Sequence, residues 1–155
     1  MEAHLFISQI SQESTAMKLS VITALVAFAS VAFAKVNQVS VPSKAIPGES
    51  ITAQVSSTSY IQNWDDFGII WGLVQQGHEC EGCVGREIGY QNLYNEPSYP
   101  NQPGNYSFQV TIPQVDTGSY IFVAAVPHLV GASGTTGFNY FNQPIELVLN
   151  AKTRV

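Results

Sequence analysis

The sequence predicts an all-β protein, an immunoglobulin-like antiparallel β-sandwich of about seven strands, and three observations carry that expectation. Beyond residue 34 no stretch keeps a helical period, while short runs of β-branched and aromatic residues alternate with turns marked by proline and glycine. Seven such runs can be drawn, the number of a small sandwich. Asp116-Thr117-Gly118-Ser119-Tyr120 has the D-x-G-x-Y form of a tyrosine corner, and Trp71 falls on the third run, where immunoglobulin domains keep their core tryptophan.

The first predicted strand is residues 36–41, closed by Pro42, and Pro47-Gly48 supplies the turn into the second, residues 51–57. There Ile51, Ala53 and Val55 share one face and Thr52 and Gln54 the other, the pattern of a strand with one buried side. Residues 67–74 are almost continuously apolar, as a central strand would be, and residues 86–91 follow as the fourth. Pro103-Gly104 precedes the fifth, residues 106–112, where Tyr106, Phe108, Val110 and Ile112 alternate with Ser107, Gln109 and Thr111. Residues 119–126 form the sixth and residues 144–149 the seventh, separated by a glycine-rich turn at residues 131–137. Two residues after Tyr120 stands Phe122 rather than cysteine, so no inter-sheet disulfide is available and apolar packing must close the core.

Ahead of these strands, residues 17–34 (MKLSVITALVAFASVAFA) have the parts of a secretory signal. Lys18 supplies the positive start, an apolar stretch follows, and Ala32-Phe33-Ala34 offers small residues at −3 and −1, so cleavage would leave Lys35 first. Ser20, Thr23 and Ser30 interrupt the run, which falls short of the roughly 20 apolar residues that span a bilayer, so stable membrane insertion is not expected. Residues 1–16 contain Glu2 and Glu13 and no basic residue, the wrong sign for a signal start; the expectation is that Met17 is the true start and that residues 1–16 are a dispensable extension. Residues 35–155 then make one secreted, extracellular domain, expected to be a monomer. Five basic residues against nine acidic ones give it a net charge of −4, with no basic patch, which argues against nucleic acid as a partner.

Chemistry-bearing residues are few. Cys80 and Cys83 form a C-x-x-C between the third and fourth strands; in an oxidising compartment a local disulfide is the leading expectation. No helix follows to support a redox dithiol, and His78 with two thiolates lacks an evident fourth ligand for zinc. A copper site built on an N-terminal histidine does not suit a chain beginning at Lys35. His78 and His128 read as ordinary loop and strand-end residues. No nucleophile elbow or phosphate-binding glycine loop is found, and Asp65-Asp66 precedes a strand as loop acids do, so neither catalysis nor a cofactor is expected; a small hydrolase using those two acids is the minority reading. Asn105-Tyr106-Ser107 is the single sequon, a candidate glycosylation site. Tyr94 and Tyr99, in a loop rich in proline and asparagine, suggest an alternative function as a cell-wall or glycan-binding module, against the plainer reading that they pack the loop on the sandwich.

Residues 60–72, from Tyr60-Ile61-Gln62-Asn63-Trp64-Asp65-Asp66 into the apolar strand ending at Gly72, resemble the fungal necrosis-inducing secreted protein family, the Nis-type core effectors. Ala45-Ile46-Pro47-Gly48-Glu49, the Asn105 sequon, and Gly131-Ala132-Ser133 followed by residues 138–148 are similar to that family's early turn, sequon and C-terminal turn and strand. Ser59 and the C-x-x-C loop depart from the family pattern. The resemblance implies a secreted fungal protein acting on a plant host: a binder of receptor-associated protein kinases that dampens pattern-triggered immunity, in some members a cell-death inducer, without a catalytic site. Contacts are expected from residues 60–66 and from residues 129–140, Gly131, Ala132 and Ser133 included. Because such kinases are cytoplasmic, the resemblance also implies passage into the host cytoplasm after secretion.

Overall fold

The computed structural model describes residues 33–99 and 101–149. The expected extension and residues 17–32 of the expected signal lie outside the described residues. Nine strands are present among those described: β1 (Phe33–Ser40), β2 (Lys44–Ala45), β3 (Ser50–Tyr60), β4 (Trp64–Asp66), β5 (Gly68–Gln75), β6 (Arg86–Asn92), β7 (Gly104–Thr111), β8 (Gly118–Val130) and β9 (Thr135–Leu147). They form a sheet of order β1-β3-β7 and a second of order β2-β9-β8-β5-β6, with β4 added along the end of β8. All pairs are antiparallel except β2 with β9. This is the immunoglobulin arrangement: the A, B and E strands are β1, β3 and β7, and the C, F and G strands are β5, β8 and β9.

Each predicted strand is found, and the differences have physical causes. β9 begins at Thr135, so the turn after β8 is residues 131–134 rather than 131–137; Thr135, Thr136 and Gly137 continue the ladder opposite Val130, Leu129 and His128. Gly131 and Gly134 both take positive φ, 74° and 66°, which lets a short turn reverse the chain between two 13-residue strands. β2 and β4, three residues or fewer, are too short to leave a periodic signal.

The small sheet shows the alternation the sequence implies. Ile51, Ala53 and Val55 of β3 and Phe108 and Val110 of β7 are buried, while on the other face Gln109 Nε2–H donates to Thr52 Oγ1 at 2.9 Å and Ser107 Oγ–H to Gln54 Oε1 at 3.0 Å. These inward residues meet Ile69, Trp71 and Leu73 of β5, Phe122, Ala124 and Val126 of β8, and Ile145 and Leu147 of β9. Trp71 lies at 2% exposure with its ring 5.7 Å from that of Phe122, the residue standing in place of the missing cysteine. Tyr120 Oη–H donates to Asp116 O at 3.0 Å, completing the tyrosine corner with Gly118 at positive φ.

β8 departs from simple alternation, since Val123 and Ala125 are buried although they face away from the core. Residues 76–85, which join β5 to β6, fold back over that outer face. The Val84 carbonyl lies so close to Gly72 that a Cβ there would collide with it, and Tyr140 Oη–H donates to Gly82 O at 3.0 Å. Cys80 and Cys83 form a disulfide at the tip of this flap. A four-residue loop excludes few unfolded conformations, so Cys80→Ser/Cys83→Ser is expected to cost no more than about 2 kcal/mol in a urea titration, with the β-sheet circular dichroism retained.

Candidate functional site

The two segments expected to meet a partner come together at one end of the large sheet. β4 runs antiparallel to the last residues of β8, with Trp64 opposite Val130, Asp65 opposite Leu129 and Asp66 opposite His128. Gly131 N–H then donates to Asn63 O at 2.9 Å, tying the β8–β9 turn, with Gly131, Ala132 and Ser133, to the loop after β3. On the surface so formed Gln62, Asn63, Ala132 and Ser133 are exposed, and Ile61 is almost wholly in solvent at 98%. An isoleucine in that position gives up its burial free energy for nothing in the isolated chain.

Beneath this tip Trp64 is 4% exposed. Its indole stacks on the His128 imidazole, centroids 4.1 Å apart and planes inclined by 19°, and meets the Tyr60 ring edge-on at 4.9 Å. The Lys35 ammonium lies 4.2 Å from the Trp64 centroid and 5.2 Å from that of Tyr60, a cation–π arrangement that pins β1 to the loop. Trp64 Nε1–H donates to Asp66 Oδ1 at 2.7 Å and Val36 N–H to Asp66 Oδ2 at 2.8 Å. Both carboxylate oxygens are thereby committed. Burial pushes the Asp66 carboxyl above its ordinary range, and the two hydrogen bonds, with His128 and Lys35 nearby, pull in the opposite direction without overcoming it.

These positions correct two expectations. Trp64 and Asp66, counted among the partner contacts, are 4% and 3% exposed, so they hold the tip in shape and leave the surface to Tyr60, Ile61, Gln62, Asn63 and the half-buried Asp65. Tyr99, paired with Tyr94 in the glycan-binding alternative as a ring for sugars to stack on, is 2% exposed and packs at 4.7 Å on Tyr106, whereas Tyr94 is half exposed and stacks on Phe67 at 5.1 Å. Burial of Tyr99 follows the plainer reading of the loop, and no two-ring platform forms from this pair. Lys35 and His128 are not among the site residues expected from the sequence; they lie far from Trp64 in the chain, and only strand pairing makes them neighbours. Cys80 and Cys83 sit on the flap over the outer sheet face, and Asn105 is exposed on β7 in the other sheet, its Oδ1 accepting from Ser56 Oγ–H at 2.6 Å. Phe33 and Ala34, the last residues of the expected signal, are the first of β1, opposite Tyr60 and Ser59, so cleavage after Ala34 would shorten that ladder by two pairs.

Among known proteins, no curated protein matches the chain. Among solved structures it is similar to the superoxide reductase (neelaredoxin) from Ignicoccus hospitalis, at 13% identity and a TM-score of 0.43, over 76% of this chain and 82% of that one. A single-substitution form of that same reductase is similar at 13% identity and a TM-score of 0.40, over 80% of this chain and 86% of that one. Likenesses this distant carry nothing about activity. The profile of the Nis1 family matches residues 32–146, a span that takes in both halves of the tip, the flap and the tyrosine corner, and the chain belongs to the Nis1 family.

Proposed function

We propose that this protein is a secreted effector that binds the kinase domains associated with plant pattern-recognition receptors and lowers immune signalling, with the tip formed by the β3–β4 loop and the β8–β9 turn as its contact surface. Membership of the Nis1 family supports a secreted, effector-like protein. The observation that carries the surface is Ile61, 98% exposed on a loop flanked by the packed Trp64, Asp66 and Lys35 and tied at Asn63 O to Gly131 N–H. A preformed loop offering an apolar side chain amid Gln62, Asn63 and Ser133 loses little entropy on docking and supplies a central anchor within a polar rim.

Calorimetric titration of the secreted protein with receptor-associated kinase domains tests this. Binding at micromolar concentration or tighter is expected, weakened at least about tenfold by Ile61→Asp with the melting temperature unchanged, because the side chain touches solvent alone. Absence of binding, or binding indifferent to Ile61→Asp, would refute the surface.

A further inference from the structure

The outer edge of β9 is open along most of its length. β2 pairs with it only at Glu146 and Leu147, and among the described residues no other strand lies on that side. Glu146 N–H donates to Ser43 O, so the even-numbered residues of β9 aim their N–H and C=O groups away from β8. The ladder with β8 keeps one unbroken register from Thr135 to Leu147, which carries that parity along the whole strand. Thr136, Phe138, Tyr140 and Asn142 therefore present donors and acceptors along the open edge, and Pro144, which has no N–H, ends the row beside β2. Residues 135–143 contain no charge, no proline and no bulge, the devices by which outer strands refuse partners. The other outer strands are better guarded: Asp66 takes the Val36 N–H of β1, Arg86 and Glu87 charge β6, and β7 bears the candidate glycan site Asn105.

We infer that this edge pairs with the same edge of a second copy, so that two antiparallel β9 strands join the large sheets of two chains across a two-fold axis. The open span selects that occupant. It is bounded at one end by the β8–β9 turn and at the other by Pro144 and β2, so two antiparallel copies overlap along all of it only when Asn139 faces Asn139 at the axis. In that register Phe138 meets the partner's Tyr140, and Thr136 meets the partner's Asn142. All four are edge-facing, as hydrogen-bonded antiparallel pairs require, whereas a slip by one residue sets edge-facing groups against residues that point to β8. Even-numbered side chains also share the outer sheet face, where Phe138 and Tyr140 stand 53% and 40% exposed with ring centroids 6.0 Å apart. Pairing across the axis doubles this aromatic row, a cross-strand contact that stabilises sheets. An uncharged strand lets the two edges meet although each chain is net negative. One patch thus serves both sides of the contact, the isologous form that closes as a dimer in place of the monomer expected from the sequence.

The inference is independent of the kinase reading, because its readout is the secreted protein alone. Sedimentation velocity across a concentration series is the first test. A seam this short belongs to the small, transient class of interface, so a monomer–dimer equilibrium with a dissociation constant on the order of 10–100 μM is expected. Phe138→Lys and, separately, Asn142→Lys should each weaken it at least about tenfold, by placing a charge on the paired edge. Both side chains are exposed, so the melting temperature at low concentration should stay within about 2 °C of wild type, which separates loss of pairing from loss of folding. Amide hydrogen exchange of the ¹⁵N-labelled protein locates the seam. The N–H groups of Phe138 and Tyr140 should exchange at least about tenfold more slowly in the dimer than in the monomer, while those of Asn139 and Phe141, which point to β8, change little. A protein that stays monomeric at about 500 μM, a dimer indifferent to both lysines, or exchange at Phe138 and Tyr140 that ignores concentration would overturn the assignment.

Discussion

Asp66→Ala is expected to destabilise the domain by about 3 kcal/mol, because it orphans two buried donors at once, Val36 N–H and Trp64 Nε1–H. The loss should be visible as a lowered urea midpoint, and in the folded fraction the Trp64 fluorescence should report a loosened tip. Asp66→Asn keeps the shape but turns an amide NH₂ towards one of the two donors, so it should cost less than the alanine variant while still weakening the clamp. The pH dependence has a definite sign. Burial raises the folded-state pKa of Asp66 above its unfolded value, so between those two values the folded state holds more protons than the unfolded one. The contribution of Asp66 to stability therefore falls as pH rises through that window and recovers as pH drops. Relative to Asp66→Asn, which cannot titrate, the wild type should gain stability on acidification there. An Asp66→Ala protein within about 0.5 kcal/mol of wild type would show that the clamp does not hold the tip.

Trp71→Ala should cost about 3–5 kcal/mol, the range for emptying a large buried aromatic site. The reason for expecting the upper part of that range is the absence of a covalent tie between the sheets. Phe122 occupies the position of the second cysteine, and the described disulfide, Cys80 to Cys83, closes a short loop within one flap. Packing of Trp71 on Phe122 and the surrounding valines and isoleucines therefore carries what a disulfide would otherwise share. Against a total stability of about 5–15 kcal/mol for a domain of this kind, such a loss approaches unfolding at 37 °C. Equilibrium denaturation at 25 °C gives the magnitude, and a change under about 1.5 kcal/mol would mean that the sheets close on other contacts.

The long strands could be read from the chain because each has a burial pattern of its own: alternation on β3 and β7, where one face meets water, and continuous apolarity on β5. The short strands β2 and β4 could not, since a two- or three-residue pairing depends on a neighbour supplied from elsewhere in the fold. At the candidate site the same division holds. Residues 60–66 and 131–133 are marked by family resemblance, but which side chains face outward is not: Trp64 and Asp66 turn in, Ile61 turns out. Asp66 and Tyr99, which line one cavity, lie on opposite sides of two whole strands in the chain, and no local pattern joins them.

By itself, then, the sequence determined the all-β class, the core faces, the tyrosine corner, the cysteine pair and the family, because each rests on short-range periodicity or on a local motif. The tertiary structure alone decided what the polar residues do. Strand pairing carried Lys35 and His128 to Trp64, and the inward turn of β4 buried a carboxylate between two donors. It also buried Tyr99 beside Asp66, against the ring of Tyr106. Hydrogen bonding and cation–π contact act over a few ångströms between residues of any sequence separation, so their outcome is written only once the chain has closed.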